Sequence, residues 1–189
     1  MQVDGYEIDI LIQGYPGRSL FHGGLGWCTV VLIRGQGRVV LIDTGSFNFR
    51  RPLIERLAKR GVKPAAVTDL LLTHADYDHM VNWTLFGHAR IVIGAYELEC
   101  ALKAPWGETA VPELYVRELH GWPNLHTVGD GDDVLALLAF RPEHPPSADS
   151  VVDLVFVHTG APLLTDAQDD GWTVGQVGHG CLHWSRRMI

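Results

Sequence analysis

Residues 70–83 read LLLTHADYDHMVNW, and this stretch decides the fold. An apolar run ends abruptly at Thr73, and four side chains able to bind metal follow within six residues: His74, Asp76, Asp78 and His79. The run 66–73 (AVTDLLLT) predicts a buried strand, and MVNWTLF after the cluster predicts a short helix. Where a strand gives way to a tight loop, several side chains can converge on one point. Imidazole nitrogen and carboxylate oxygen together suit divalent ions such as zinc, manganese or iron. A plainer reading makes Asp76 or Asp78 the N-cap of the following helix. It accounts for one aspartate, but not for two histidines and two aspartates together.

Working outward, residues 6–14 (YEIDILIQG) predict a strand, followed by a Gly-rich stretch from Gly14 to Gly26. WCTVVLIRG and GRVVLIDTG flank a short Gly-containing turn and predict a hairpin. Residues 50–60 (RRPLIERLAKR) place Leu53, Ile54, Leu57 and Ala58 on one helical face, with Pro52 in the first turn and Gly61 just beyond the end. ARIVIG predicts a further buried strand and 95–103 a helix. From Pro105 to Asp133 no period is evident, which predicts loop with short elements. VLALLAF, VVDLVFV and the shorter APLLTD predict three more strands. Strands interrupted by helices, without repeat or linker, predict one α/β domain over 1–189.

Composition narrows the class. The chain has 189 residues, 47% of them hydrophobic and 20% charged, as expected of a globular domain. Its net charge of −7 has the wrong sign for generic phosphate-backbone binding, so no nucleic-acid partner is expected. Three cysteines (Cys28, Cys100, Cys181) without a CxxC pair exclude a disulfide framework and a cysteine zinc finger. They fit a reducing compartment, and with no leader-like N-terminus the expected location is cytoplasmic, away from membranes.

LLLTHADYDHMVNW, preceded by VVLIDTG at 39–45, resembles the metallo-β-lactamase superfamily of metallohydrolases. That family's pattern is an apolar strand, Thr-His-x-His-x-Asp-His, then a helix. The resemblance covers roughly residues 20–140 and implies a four-layer αββα sandwich with a one- or two-metal site at the strand ends. Asp76 stands where the family usually has its second histidine. Retained as a ligand, it makes the site richer in oxygen, so that manganese or iron joins zinc as a candidate ion.

The resemblance further implies a third histidine and a bridging aspartate downstream, for which RPEHPPS at 141–147 and PLLTD at 162–166 supply His144 and Asp166. His74, Asp76 and His144 would then hold one ion, Asp78 and His79 a second, and Asp166 would bridge them. Asp78 would also hold the attacking water as the catalytic residue. Asp43 in IDTG matches an aspartate that orients a metal-bound imidazole from behind; a simple turn aspartate is the alternative. The family's final histidine has no clear counterpart, since His179 and His183 carry no distinguishing context, and the last third of the chain reads as divergent or truncated. The implied activity is hydrolysis of a small ester, lactone or thioester. Rival readings are a non-catalytic member with an incomplete site, a di-iron redox protein and a phosphodiesterase. Asn82-Trp83-Thr84 is a glycosylation sequon, set aside for want of a secretory signal.

Overall fold

The computed structural model describes residues 2–3, 5–15, 17–19, 23–24 and 26–129. Nine strands and four α-helices occur among them: β1 (Gln2–Val3), β2 (Tyr6–Ile12), β3 (Arg18–Ser19), β4 (Gly23–Gly24), β5 (Val30–Gly35), β6 (Arg38–Ile42), α1 (Arg50–Lys59), β7 (Asp69–Leu71), α2 (Tyr77–Met80), β8 (Arg90–Gly94), α3 (Ala95–Lys103), α4 (Glu113–His120) and β9 (Leu125–Val128). Seven strands form one sheet in the order β1-β2-β5-β6-β7-β8-β9, and β3 pairs with β4 separately.

The sheet changes character at β6. Strands up to that point pair antiparallel, and β5 meets β6 through a two-residue turn in which Gln36 and Gly37 both take positive φ, 47° and 76°. A turn of that hand matches the twist of the strands it joins, so the predicted hairpin forms. From β6 onward the pairing is parallel, with helices in the crossovers. Reversal therefore puts the exits of β6, β7 and β8 on one edge, where open α/β sheets place their sites.

The β-branched and leucine-rich runs are explained by burial. Leu32, Leu41, Leu70 and Ile91 stand opposite one another across four strands and are fully buried. They form one core with Leu53 and Leu57 of α1, Leu98 of α3, Val116 and Leu119 of α4, and with Trp83 and Phe86. On the other face Val31, Ile33, Val40, Ile42 and Val92 are buried too. Burial on both faces erases strand alternation and leaves the continuous apolar runs of the sequence.

Three expectations are corrected. Ala58, placed on the apolar face of α1, is exposed, because the face that packs is narrower and centred on Leu53 and Leu57. The strand expected over 66–73 is confined to 69–71, since Pro64–Ala66 form a 3-10 turn and the chain leaves the sheet before Thr73. The stretch from Pro105 contains the two-turn helix α4 and strand β9. Only Val116 and Leu119 of that helix are buried, too short a pattern to show a period. The mixed α/β architecture is as expected; the strands expected after Val134 lie outside the described residues.

Candidate metal centre

The site is assembled on the exits of β6, β7 and β8. Asp43 follows β6 directly and sits at φ 56°, a left-handed conformation that aspartate tolerates better than most residues. Its backbone N–H donates to Leu71 O at 2.8 Å, which continues the parallel ladder by one step. The bend aims a fully buried carboxylate at the neighbouring strand exit. Thr73 N donates to Asp43 Oδ1 at 2.8 Å, Thr73 Oγ1 donates to Oδ2 at 2.8 Å, and His79 Nδ1 donates to Oδ2 at 2.7 Å.

Thr44 and Asn82 fix the other side of α2. The Thr44 backbone N–H and hydroxyl both donate to His79 O, at 2.7 and 2.8 Å. Asn82 Nδ2 lies 3.0, 3.0 and 2.9 Å from the carbonyls of Thr44, Gly45 and Ser46. Asn82 is fully buried, so in the folded chain the sequon has a packing role. Glu97, at the start of α3, accepts the Ala75 N–H at 3.1 Å and ties the loop to that helix.

These supports determine which ring nitrogens face outward. With the Thr73 hydroxyl donating to Asp43, its oxygen accepts from His74 Nδ1 at 3.0 Å. Both histidines then carry hydrogen on Nδ1 and a lone pair on Nε2. His74 Nε2 lies 3.7 Å from Asp76 Oδ2, and His79 Nε2 lies 3.7 Å from Asp78 Oδ2. The two rings approach to 3.7 Å between centroids. A separation of 3.7 Å is too long for a hydrogen bond; donors sharing a tetrahedral ion at ~2.1 Å stand roughly 3.4 Å apart. Asp76 does occupy the N-cap position of α2, yet its carboxylate makes no capping bond, which corrects the plainer reading of that residue.

Charge balance agrees. Burial, and secondarily the adjacent His79, pushes His74 below the usual imidazole range and keeps it neutral, as a ligand must be. Burial pulls His79 down as well, but the charge and hydrogen bond of Asp43, reinforced by Asp78, outweigh it and raise it overall. Burial raises the Asp78 carboxyl despite the opposing pull of His79. The carboxylates of Asp43, Asp78 and Asp76 all favour positive charge at His79, the sign a divalent cation would supply.

A second trio of donors, Cys28, Asp43 and His79, lies with all three ligand atoms within 4.8 Å of one another. It is a support behind the cluster, not a metal face. Asp43 already accepts from Thr73 and His79, and burial together with the charges of Asp43 and Asp78 holds the Cys28 thiol well above its ordinary range.

Of the residues singled out from sequence, the fold brings His74, Asp76, Asp78, His79 and Asp43 together. His144 and Asp166 lie outside the described residues, as do His179 and His183. His88 instead contacts Val67 O at 3.1 Å, and His120 and His126 are exposed. Trp122 packs edge-on against Trp83 and donates to Gly87 O, whereas Trp106 is exposed. Thr44, Thr73, Asn82 and Glu97 were not singled out. Only the strand-terminal position of Thr73 and the Asp-Thr-Gly context of Thr44 could have marked them.

A buried aspartate thus stands behind a paired imidazole–carboxylate cluster at the exits of parallel strands. The chain belongs to the metallo-β-lactamase superfamily, whose sequence profile matches residues 23–181. It is 36% identical over 96 residues to metallo-beta-lactamase domain-containing protein 1 of Xenopus laevis, a segment making up 49% of this chain and 39% of the frog protein. The rat protein of the same name is 31% identical over 96 residues, covering 49% of this chain and 38% of its own length. A candidate metallo-β-lactamase of Thermotoga maritima superposes with a TM-score of 0.56 at 26% identity, over 68% of this chain and 61% of that one. The chain thus spans less than two thirds of each of these relatives. No helix among the described residues is long and apolar enough to cross a membrane.

Proposed function

We propose that the chain is a metal-dependent hydrolase of a small ester, lactone or thioester. The observation that carries this reading is the paired approach of His74 Nε2 to Asp76 and of His79 Nε2 to Asp78, each at 3.7 Å. Such donors fit a divalent ion: zinc first, with manganese or iron admitted by the oxygen of Asp76. His74 and Asp76 would hold one ion and Asp78 and His79 a second, with His144 and Asp166 assigned to complete and bridge them. A bound divalent ion supplies a water of pKa near ~7 and polarises the carbonyl oxygen under attack.

The protein's own groups do the rest. Asp43 keeps hydrogen on His79 Nδ1 and so directs the lone pair of Nε2 outward. Thr73 does the same for His74 while bonded to Asp43, so one buried carboxylate orients both rings. Asp78 orients the attacking water, accepts its proton and returns it to the departing oxygen or sulfur. Burial moves that carboxyl upward, the direction a proton acceptor needs. The excess of carboxylates supports a neutral substrate over an anionic one.

Metal analysis of protein purified without added metal tests the assignment. At least one zinc or manganese per chain is expected, together with turnover of phenyl acetate, a γ-lactone or a thioester. His74→Ala combined with His79→Ala should abolish uptake. Unchanged stoichiometry in that double variant overturns the site, and stoichiometric iron with colour overturns the hydrolase.

A further inference from the structure

Large apolar side chains left in water are unevenly distributed over the described residues. Seven are exposed, and six of them, Tyr15, Phe47, Tyr77, Tyr96, Trp106 and Leu114, belong to the connections and helix starts around the His74–His79 cluster. The placement follows from topology. Tyr15 lies beyond the exit of β2, bridged to Trp27 just before β5. Phe47 follows the Asp43–Ser46 bend after β6, Tyr77 sits inside the cluster after β7, and Tyr96 opens α3 after β8. Backbone bonding of Tyr77 N to Ala110 O at 2.9 Å and the contact of Phe47 with Tyr115 bring the end of the 104–112 connection and the start of α4, with Leu114, to the same edge, and Trp106 packs on Arg117 of that helix. The seventh, Ile10, lies within β2, on the row of Val31, Ile42 and Val92.

Two of these residues pack on half-buried rings of the same edge. Phe47 meets Tyr115 of α4 edge-on at 5.4 Å between centroids, Trp27 lies 5.1 Å from Tyr15, and Phe49 lies 5.4 Å from Trp27. The single short turn Phe47–Phe49 therefore sends one ring to each side of the Asp43 bend. Exposed apolar side chains gathered on the edge that carries a candidate site mark a binding region. Four arginines pair toward the opposite edge of the sheet, Arg34 with Glu7, Arg60 with Asp9, and Arg38 and Arg90 with Asp69, whereas Arg117 stacks over Trp106 at 5.0 Å and Arg50 and Arg51 open α1 just after Phe49. The carboxylates of Asp43, Asp76 and Asp78 lie 2.7 to 3.7 Å from ring nitrogens of His74 and His79.

We infer that the aromatic rim around the cluster, centred on Phe47 and Tyr77, binds the apolar chain or ring of an uncharged substrate and sets the preference of the enzyme for long acyl groups. This rests on the hydrolase reading and narrows it to neutral carbonyl compounds with an extended alkyl or aryl group. A phosphodiester would bring negative charge up to the carboxylates of Asp76 and Asp78 beside the two imidazoles, which an uncharged carbonyl compound would not.

The test uses p-nitrophenyl esters from acetyl to octanoyl, with bis(p-nitrophenyl) phosphate as the anionic counterpart. kcat/KM should rise about two- to fourfold per methylene, fourfold being the limit for complete burial of each CH₂. Phe47→Ala and Tyr77→Ala should flatten that slope through KM, Phe47→Leu should restore most of it, and Ile10→Ala should leave it as in the wild type. A flat or falling slope with esters still hydrolysed overturns the rim while leaving the hydrolase intact. Turnover of the phosphodiester but of no ester overturns the hydrolase reading. Calorimetric binding then decides the rim separately: N-octylacetamide should bind at least about tenfold more tightly than N-methylacetamide, and the preference should vanish in Phe47→Ala. Equal binding of the two amides, or an octyl preference unaffected by Phe47→Ala and Tyr77→Ala, overturns the inference.

Discussion

The parallel half of the sheet buries a carboxylate at each end, Asp69 where β7 begins and Asp43 where β6 leaves, and both are fully enclosed. Asp69 is saturated with cations. Arg38 Nε donates to it at 2.8 Å while Arg38 Nη2 pairs with its other oxygen, Arg90 Nε donates at 3.0 Å, and Thr68 Oγ1 donates at 2.6 Å. Asp43 meets a backbone amide, a hydroxyl and an imidazole, with three further carboxylates nearby. One end closes its charge internally and clamps three strands in register. The other holds no guanidinium among the described residues and turns the Nε2 atoms of two imidazoles toward Asp76 and Asp78. Comparable burial with opposite compensation separates a structural carboxylate from one that serves a ligand.

The comparison can be broken first at the clamp. Asp69→Ala strands two guanidinium groups in a largely dry place and should cost about 3–5 kcal/mol in urea unfolding. The metal stoichiometry of the protein that remains folded should be unchanged. Loss of metal with little loss of stability would mean that the two ends are coupled and the contrast is false.

At the other end, Asp43→Asn keeps the shape but cannot accept from both Thr73 and His79. Metal affinity should fall about 10- to 100-fold, the usual cost of removing an outer partner of a ligating histidine. A competition titration with a chelating dye would read the change. An unaltered affinity would reduce Asp43 to a turn residue.

Asp76→His sharpens the picture within the cluster. It should be tolerated, because the Asp76 carboxylate makes no capping bond, and it should move relative affinity from manganese toward zinc. If the zinc-to-manganese ratio measured by the same titration stays put, Asp76 does not touch metal.

The smallest effect belongs to a pair of a third kind. Asp9 bonds Arg60 near the surface, and that hydrogen bond, with the guanidinium charge, holds its carboxyl below the usual range. A depressed pKa adds stability that is present above the unfolded value, about pH 4, and disappears as pH falls through the folded value. Asp9→Asn should therefore lower the urea midpoint at pH 7 by less than about 1 kcal/mol equivalent and leave it unchanged near pH 2.

Much of this molecule is written locally. The β5–β6 hairpin, the α1 core residues Leu53 and Leu57, and the His74–His79 cluster each lie within a dozen residues of chain, so turn geometry, periodicity and ligand spacing reveal them without knowledge of the fold. The order of the sheet added what spacing could not contain. Asp43 meets Thr73 and His79 only because β6 and β7 run side by side, and Asp69 meets Arg38 and Arg90 only through the same register. Helix α4 left no period because two buried residues suffice to dock it, and Ala58 was misplaced because propensity does not state how wide a packed face will be. The exposed residues Phe47, Tyr77 and Tyr96 lie far apart in the chain. Parallel pairing brought the connections that carry them to one edge, since strands running in one direction must all turn at the same end.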